Sequence, residues 1–310
     1  MNKNNINLST VTNTDESKWP NLFIVGAAKA GTTSLYSHLQ KHPKILMSNI
    51  KEPHFFSDIN PMKNQQHNIQ VASSEKEYLN LFKSNINYQY LGDASPSYLW
   101  DKDVPKRIYQ KSARSKIIIL LRDPIERAYS HYLMDVREGL QKLPFLEAIH
   151  EDFAREEKGW GISHLYIELG LYFDQVKRYI DQFGAEEVKI LMFEDFKKNP
   201  QNTLAGICEF LNIDYDLFVD TSFNENYNSY AAPKNKLAQN IMGNSIIRRA
   251  SKKFFPKSIR EFVRSNLLLK STEKPLMEPE AKEYLQNIYL EDVCKLEVLL
   301  GKKLPSLKKQ

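Results

Sequence analysis

The stretch LFIVGAAKAGTTSLYSHLQ, residues 22–40, decides the fold. Leu22, Phe23, Ile24 and Val25 form a short continuous apolar run, the pattern of a strand covered on both faces of a parallel sheet. Gly26 and Gly31 frame the turn that follows, where a backbone without side chains can bend sharply and bring its N–H groups close to an anion. Thr32, Thr33 and Ser34 then stand where a helix begins, and a helix N-terminus attracts anions through its unpaired N–H donors and its dipole. Strand, loop and helix together read as a phosphate cradle. The bland alternative is a glycine-rich strand-to-helix turn with no ligand.

Gly26 and Gly31 have the separation of the two glycines in a Walker A loop, GxxxxGK[ST]. The lysine of that loop is missing: Thr32 stands in its place, and Lys29 lies three residues earlier, inside the turn. A lysine there reaches an oxygen that bridges a 5′-phosphate to its leaving partner, but not the usual β/γ-phosphate pair. The expected ligand is therefore a phosphate compound other than Mg-ATP. Lys116 to Leu121, KIIILL, is the clearest buried strand, and it runs directly into RDPIERAYSHYLMDVREG. A Walker B strand would end in an aspartate that holds magnesium. This one ends in Arg122, whose fork suits phosphate, with Asp123 and Pro124 opening a helix. Ser130 lies eight residues further on, where its hydroxyl and the Arg122 fork could face one ligand. Alternatively, Arg122 simply pairs with Asp123 or Glu126.

Length alone allows one large α/β domain or two small ones in 310 residues. No stretch approaches the roughly eighteen apolar residues of a membrane span, and residues 1–18 lack the apolar core of a signal peptide. The default expectation is a cytoplasmic protein with a disordered polar leader, 1–18. Cys208 and Cys294 fall in amphipathic helical patterns, so each is expected to be a buried thiol, not a disulfide or metal ligand. The net charge of +5 is unevenly spread. Residues 234–274 hold eleven Lys or Arg against Glu261 and Glu273, about +9, which leaves about −4 for the rest. Phe254, Phe255, Phe262 and Leu267–Leu269 interleave with these cations. Such helices could face the core, a polyanionic acceptor or, through residues 245–270, a membrane surface, and packing is the commonest use. Nucleic acid is not expected as a partner, and oligomeric state is not legible.

Elsewhere, KILMS (44–48) reads as a short strand followed by KEPHFFS (51–57), which Pro53 keeps out of a helix. Lys51, Glu52 and His54 thus stand beside the first loop, where an open α/β sheet places its chemistry; a solvated loop with Phe55 and Phe56 packed inward is the equal alternative. Residues 75–84 have helical periodicity. A strand is expected to end at Leu91, with GDASPSYLW (92–100) a loop over the sheet edge and a short helix over 104–111. Periodicity predicts a core-facing helix over 165–183, a buried strand over 187–193, a helix over about 203–211 and a structural helix over 279–300.

In combination, VGAAKAGTTSL, KEPHFF and LLRDPIERAYSHY resemble the sulfotransferases that use 3′-phosphoadenosine 5′-phosphosulfate (PAPS), most closely the heparan sulfate and bacterial carbohydrate sulfotransferase branch. The resemblance runs from about Leu22 to Leu304 and implies one P-loop-like α/β domain, 19–310, with a central parallel sheet flanked by helices. It implies that Lys29 contacts the bridging oxygen and sulfonate, while Ala30, Gly31, Thr32, Thr33 and Ser34 hold the 5′-phosphate and Arg122 and Ser130 the 3′-phosphate. Glu52 falls on the general base of the glycan enzymes; His54, two residues on, is the rival, since cytosolic sulfotransferases use a histidine. The implied reaction is in-line, metal-independent transfer to a hydroxyl or amine of a saccharide or glycolipid, and the basic flank would suit an anionic glycan. Two departures stand out. Ala94 replaces a lysine that several heparan-type enzymes carry before the edge loop, a role Lys51 could fill. The Lys-Gly lid is also absent; AAPKNK (231–236) is the nearest candidate, which makes Lys234 a 3′-phosphate contact. The other readings are a nucleotide kinase or NTPase with an aberrant P-loop, and a non-catalytic nucleotide- or glycan-binding homologue.

Overall fold

Short apolar runs, too uniform to leave one face in water, build the centre of the molecule. The computed structural model describes residues 19–59, 69, 71–218 and 230–304, so the expected leader lies outside the described residues. Strands β1 (Leu22–Gly26), β2 (Ile45–Met47), β3 (Tyr90–Ala94), β4 (Lys116–Leu121) and β5 (Val188–Met192) form one parallel sheet in the order β2-β3-β1-β4-β5. Parallel neighbours cannot be joined by tight hairpins, so helices make the crossovers. These are α1 (Thr32–Leu39), α2 (Glu75–Asn80), α3 (Ser97–Trp100), α4 (Val104–Lys111), α5 (Pro124–Glu138), α6 (Phe145–Ala154) and α7 (Tyr172–Phe183). After β5 come α8 (Phe193–Lys198) and α9 (Pro200–Leu211). The P-loop-like α/β expectation is met.

β1 and β4 lie side by side, and the side chains of Leu22–Val25 and Ile117–Leu121 are wholly buried. Each such side chain contributes about 1.5–3 kcal/mol relative to exposure. Ile118→Val, which removes one methylene from this layer, is expected to cost about 0.5–1.5 kcal/mol, read as a lower denaturant midpoint at unchanged slope.

The helix after β4 starts where its sequence says it should. The Asp123 carboxylate accepts from the N–H groups of Ile125 and Glu126, both at 2.9 Å, Pro124 occupies the first turn, and Gly139 (φ 74°) ends it in the left-handed conformation. Four expectations are corrected. First, residues 92–94 are strand, not edge loop: Gly92 lets Met47 pack over it, and Asp93 is buried because Tyr78, Tyr98 and Ser95 all donate to its carboxylate. Second, the helix expected from Leu165 begins only at Tyr172, after a 3₁₀ turn at Glu168–Gly170. The Tyr289 hydroxyl takes the carbonyls of Tyr166 and Ile167, and Gly170 lies so close under its ring that a Cβ would come within 2.8 Å of that oxygen. Third, β5 is an edge strand, buried only at its ends. Fourth, Cys294 is exposed; only Cys208 is buried, and burial pushes its thiol up to about 11.

The basic segment departs further from the commonest use. Its ribbon, β6 (Ala231–Pro233) with β7 (Leu269–Ser271), packs on α5, and between them lie α10 (Lys236–Gly243), α11 (Ser245–Phe254) and α12 (Lys257–Phe262) with a π-helical turn at Val263–Leu268. Met242 and Leu269 are buried, but most of its larger apolar side chains stay in solvent, Ile246 at 74% and Phe254 at 70%. The last helix, α13 (Pro279–Leu300), matches its expected span and buries Leu285, Tyr289, Val293 and Leu296.

Candidate active site

β1 occupies the point where the sheet reverses its order, with β3 and β2 to one side and β4 and β5 to the other. Open α/β sheets bind ligands outside the carboxyl ends of the strands at that point. The loop leaving β1 is closed by Ala27 N–H to the Leu120 carbonyl (2.7 Å) and Ala30 N–H to the Ala27 carbonyl (3.1 Å). Its tightness demands a left-handed backbone at Gly31 (φ 92°), where a Cβ would also sit 3.0 Å from the Phe193 ring. Lys29 adopts φ 67°, a conformation uncommon outside glycine and one that clusters at functional sites. No side chain caps α1, so its first amides remain available to an anion. Ala30 and Thr32 are buried, Ser34 is half-buried and Thr33 is exposed.

The Lys29 ammonium lies 3.4 Å from the Met134 sulfur, a weak acceptor. Burial, then the nearby Arg137 and Arg122 charges, push its pKa down to about 8, while Asp135 and Glu52 pull the other way. Arg122 leaves the end of β4, stacks on the Phe193 ring (4.8 Å) and donates to the Lys29 carbonyl at 3.1 Å. Its alternative use is present as well, a loose pair with Glu126 at 3.7 Å. Burial lowers the Arg122 pKa. Ser130 is half-buried on α5, about 9 Å along the axis from Pro124. Lys234 is not part of this cluster: it is exposed just after β6, and its ammonium donates to the Asn266 carbonyl at 2.6 Å. Arg122→Ala is expected to weaken adenosine 3′,5′-bisphosphate binding by about 10- to 150-fold, the weight of charge-assisted hydrogen bonds, and 5′-AMP binding far less; titration calorimetry on both ligands checks it.

Glu52 and His54 follow β2 with φ 62° and 52°, so both carry backbone strain. Both readings of their loop hold at once. Phe55 stacks on Tyr78 (4.3 Å, 11°) and Phe56 packs edge-on to Phe23, which anchors the loop while Lys51, Glu52 and His54 line a cleft. His54 N–H donates to Ser95 Oγ (3.2 Å), which donates to Asp93 (2.8 Å). Burial raises Asp93 to about 6 against three hydroxyl donors, so it is ionised at neutral pH. His54 Nδ1 meets Ser97 Oγ at 2.7 Å, and its Nε2 is 3.7 Å from Glu52. Burial drives the His54 pKa to about 4, only partly opposed by Glu52, so the ring is neutral near pH 7. The Lys51 ammonium is paired with the Glu52 carboxylate. Ala94, which has no charge to offer, is buried at the end of β3.

The cleft measures about 320 Å³, and its far wall is Trp160, His131, His164 and Met134. His131 is pushed down to about 3 by burial, and its Nδ1 has no hydrogen-bond partner among the described residues. The His164 ring bonds the buried Asp135 at 2.7 Å, which raises its pKa. Sequence reasoning missed this wall and the Asp93–Ser95 support. His131 alone had a signal, its place inside SHY; Trp160 and His164 come from a segment without periodicity. No group of His, Cys, Asp and Glu suited to a metal ion occurs among the described residues.

The profile of the sulfotransferase domain matches residues 20–297. The chain belongs to the sulfotransferase-domain family. A sulfotransferase from Alicyclobacillus acidocaldarius is similar in structure, with TM-score 0.72 and 29% identity over 94% of this chain and 100% of that one. Among curated sulfotransferases, human carbohydrate sulfotransferase 15 is 26% identical, covering 63% of this chain and 44% of its own length. The membrane-associated sulfotransferase kil1 of Dictyostelium discoideum is 32% identical, covering 63% and 56%. The chain thus spans about half the length of these two curated relatives. No described helix is long and apolar enough to cross a membrane, and the sulfotransferase relatives give the cytoplasmic expectation no support.

Proposed function

We propose that the chain transfers the sulfuryl group of PAPS to a hydroxyl or amine of a saccharide. One observation carries this reading: in a loop that lacks the Walker lysine, Arg122 donates to the Lys29 carbonyl at 3.1 Å, so the two cationic residues stand together beyond the carboxyl ends of β1 and β4. The uncapped first turn of α1 and the Gly31 cradle fit a 5′-phosphate. Arg122 and Ser130 hold the 3′-phosphate, with Lys234 reaching it only if the β6–β7 ribbon moves inward. PAPS supplies an activated sulfur whose leaving group is the 5′-phosphate of adenosine 3′,5′-bisphosphate.

Glu52 removes the acceptor proton as the acceptor oxygen or nitrogen forms its bond to sulfur. The bond from sulfur to the bridging oxygen breaks, that oxygen keeps the electron pair, and Lys29 offsets the charge growing there. His54, neutral and tied to Ser95 and Ser97, holds the Glu52 loop, and the Lys51 ammonium pairs with the Glu52 carboxylate. A sulfonate in flight carries less charge than a phosphoryl group, so cationic side chains replace the metal.

The carbohydrate names of the relatives and the cleft wall support a sugar acceptor: the Trp160 ring suits sugar C–H surfaces. The deciding experiment is thermal unfolding with adenosine 3′,5′-bisphosphate, 5′-AMP or ATP, each with EDTA and with magnesium. A saturating ligand adds about 2.7 kcal/mol at a hundred times its dissociation constant. A metal-independent shift with the bisphosphate is expected; a magnesium-dependent shift with ATP alone would replace this reading by a kinase. Comparing the salt dependence of turnover on anionic and neutral saccharides then tests whether the acceptor is charged.

A further inference from the structure

α11, α12 and the π-helical turn together form a surface that folding leaves unpaid. On α11, Ile246, Ala250 and Phe254 repeat at every fourth residue, the spacing of one helical face. Ile259, Phe262 and Val263, at i, i+3 and i+4, share one face across α12 into the turn, and the two helices touch. A globular protein normally turns such stripes inward. Here they face out: Ile246 is 74% exposed, Phe254 70%, Phe262 63% and Leu267 60%. The segment is also held firmly in place. Arg264 pairs with Glu138 at the end of α5, and Gly139 and Gly243 approach so closely that a Cβ on either would overlap the other's backbone or its neighbour's.

Charge identifies the occupant. Residues 234–274 carry eleven cations against two acids, while the remainder of the chain is net acidic. Lys253 lies 5.8 Å above the Phe254 ring, so cation and apolar surface are presented by the same stretch. Exposed rings and aliphatic side chains bordered by Lys and Arg match an interfacial helix pair, which sinks its apolar side chains to the acyl boundary while its cations meet anionic headgroups. The opposite charge of the body orients this face toward such a surface and the body away from it.

We propose that the α11–α12 face docks the protein on an anionic lipid surface. Docking is peripheral and reversible, needing both hydrophobic insertion and charge. It also has a geometric consequence. The segment is seated on the C-terminal end of α5, one to two turns beyond His131 and Met134, which wall the cleft. A docked molecule therefore holds its cleft close to the headgroup layer.

Co-sedimentation of the full chain with vesicles tests this, using phosphatidylcholine alone and phosphatidylcholine mixed with phosphatidylglycerol. The anionic vesicles are expected to bind about tenfold more tightly or better, and raised salt to weaken them. The double variant Phe254→Ser, Phe262→Ser removes two exposed rings, so its thermal midpoint and its bisphosphate affinity should stay at wild-type values while vesicle binding falls about tenfold. Three results would overturn the proposal. Wild type failing to sediment with either vesicle is one. Equal binding by wild type and variant is another, since it would mean charge alone acts and a soluble polyanion is the partner. The third is a concentration-dependent dimer that the variant dissolves, which would give the face to a second copy of this chain. The unchanged bisphosphate affinity keeps all three separate from any failure of the sulfotransferase reading.

Discussion

Glu52→Gln lowers kcat for sulfuryl transfer by about 10²–10⁴-fold, the range of a positioned general base, and leaves adenosine 3′,5′-bisphosphate affinity unchanged. The amide keeps the shape and the strained backbone but cannot take a proton. The carboxylate is the better placed of the pair because its side chain is 38% exposed at the cleft, against 3% for His54. His54 also has a structural employment, since its backbone N–H and Nδ1 join it to Ser95 and Ser97. His54→Ala should therefore be the milder change in kcat and the larger in thermal midpoint. Near-full turnover by Glu52→Gln together with a dead His54→Ala would reverse the assignment.

Lys29→Ala costs about 10²–10³-fold in kcat, comparable to deleting one preorganised donor from a charge-stabilising site. Lys29 is suited to this by what surrounds it. It is buried, Arg122 and Arg137 repel its charge, and among the described residues its ammonium meets only the Met134 thioether as a hydrogen-bond acceptor. An anion arriving there meets a cation whose solvation has already been stripped. The pH signature follows from the pKa of about 8, depressed from that of a free lysine. Below about 8 the ammonium is present and donor affinity is flat; above it the free protein loses that proton, and affinity should fall by up to about tenfold per pH unit. Lys29→Arg keeps its charge across this range and should abolish the slope while lowering kcat, because the fork does not reproduce a point charge. A slope that persists in Lys29→Arg would place the titrating group elsewhere.

Much of this site was legible in the chain because its signals are local. Four apolar residues ahead of Gly26, a glycine at 31 where φ is positive, and Arg122 closing an apolar run each depend on neighbours within a few positions. The Asp123–Pro124 helix start and the span of α13 were readable for the same reason, since caps and 3.6-residue periodicity are short-range physics. Phe55 and Phe56 declared the anchored loop, though not that it would hold Glu52 and His54 in left-handed backbone.

What tertiary structure decided is what depends on desolvation by residues far away in the chain. GDAS reads as a breaker until Tyr78 and Tyr98 satisfy Asp93 and Met47 covers Gly92, whereupon it becomes an interior strand that fixes His54. The pKa values of Lys29 and His54 arise from burial, which no pattern encodes. Cleft residues Lys51, His131 and Trp160 are joined only when β2, α5 and the 160 loop converge. The basic segment makes the point most sharply: its amphipathic stripe was visible in the sequence, but a stripe states that apolar surface will seek cover, and only packing shows that the protein's own core does not provide it.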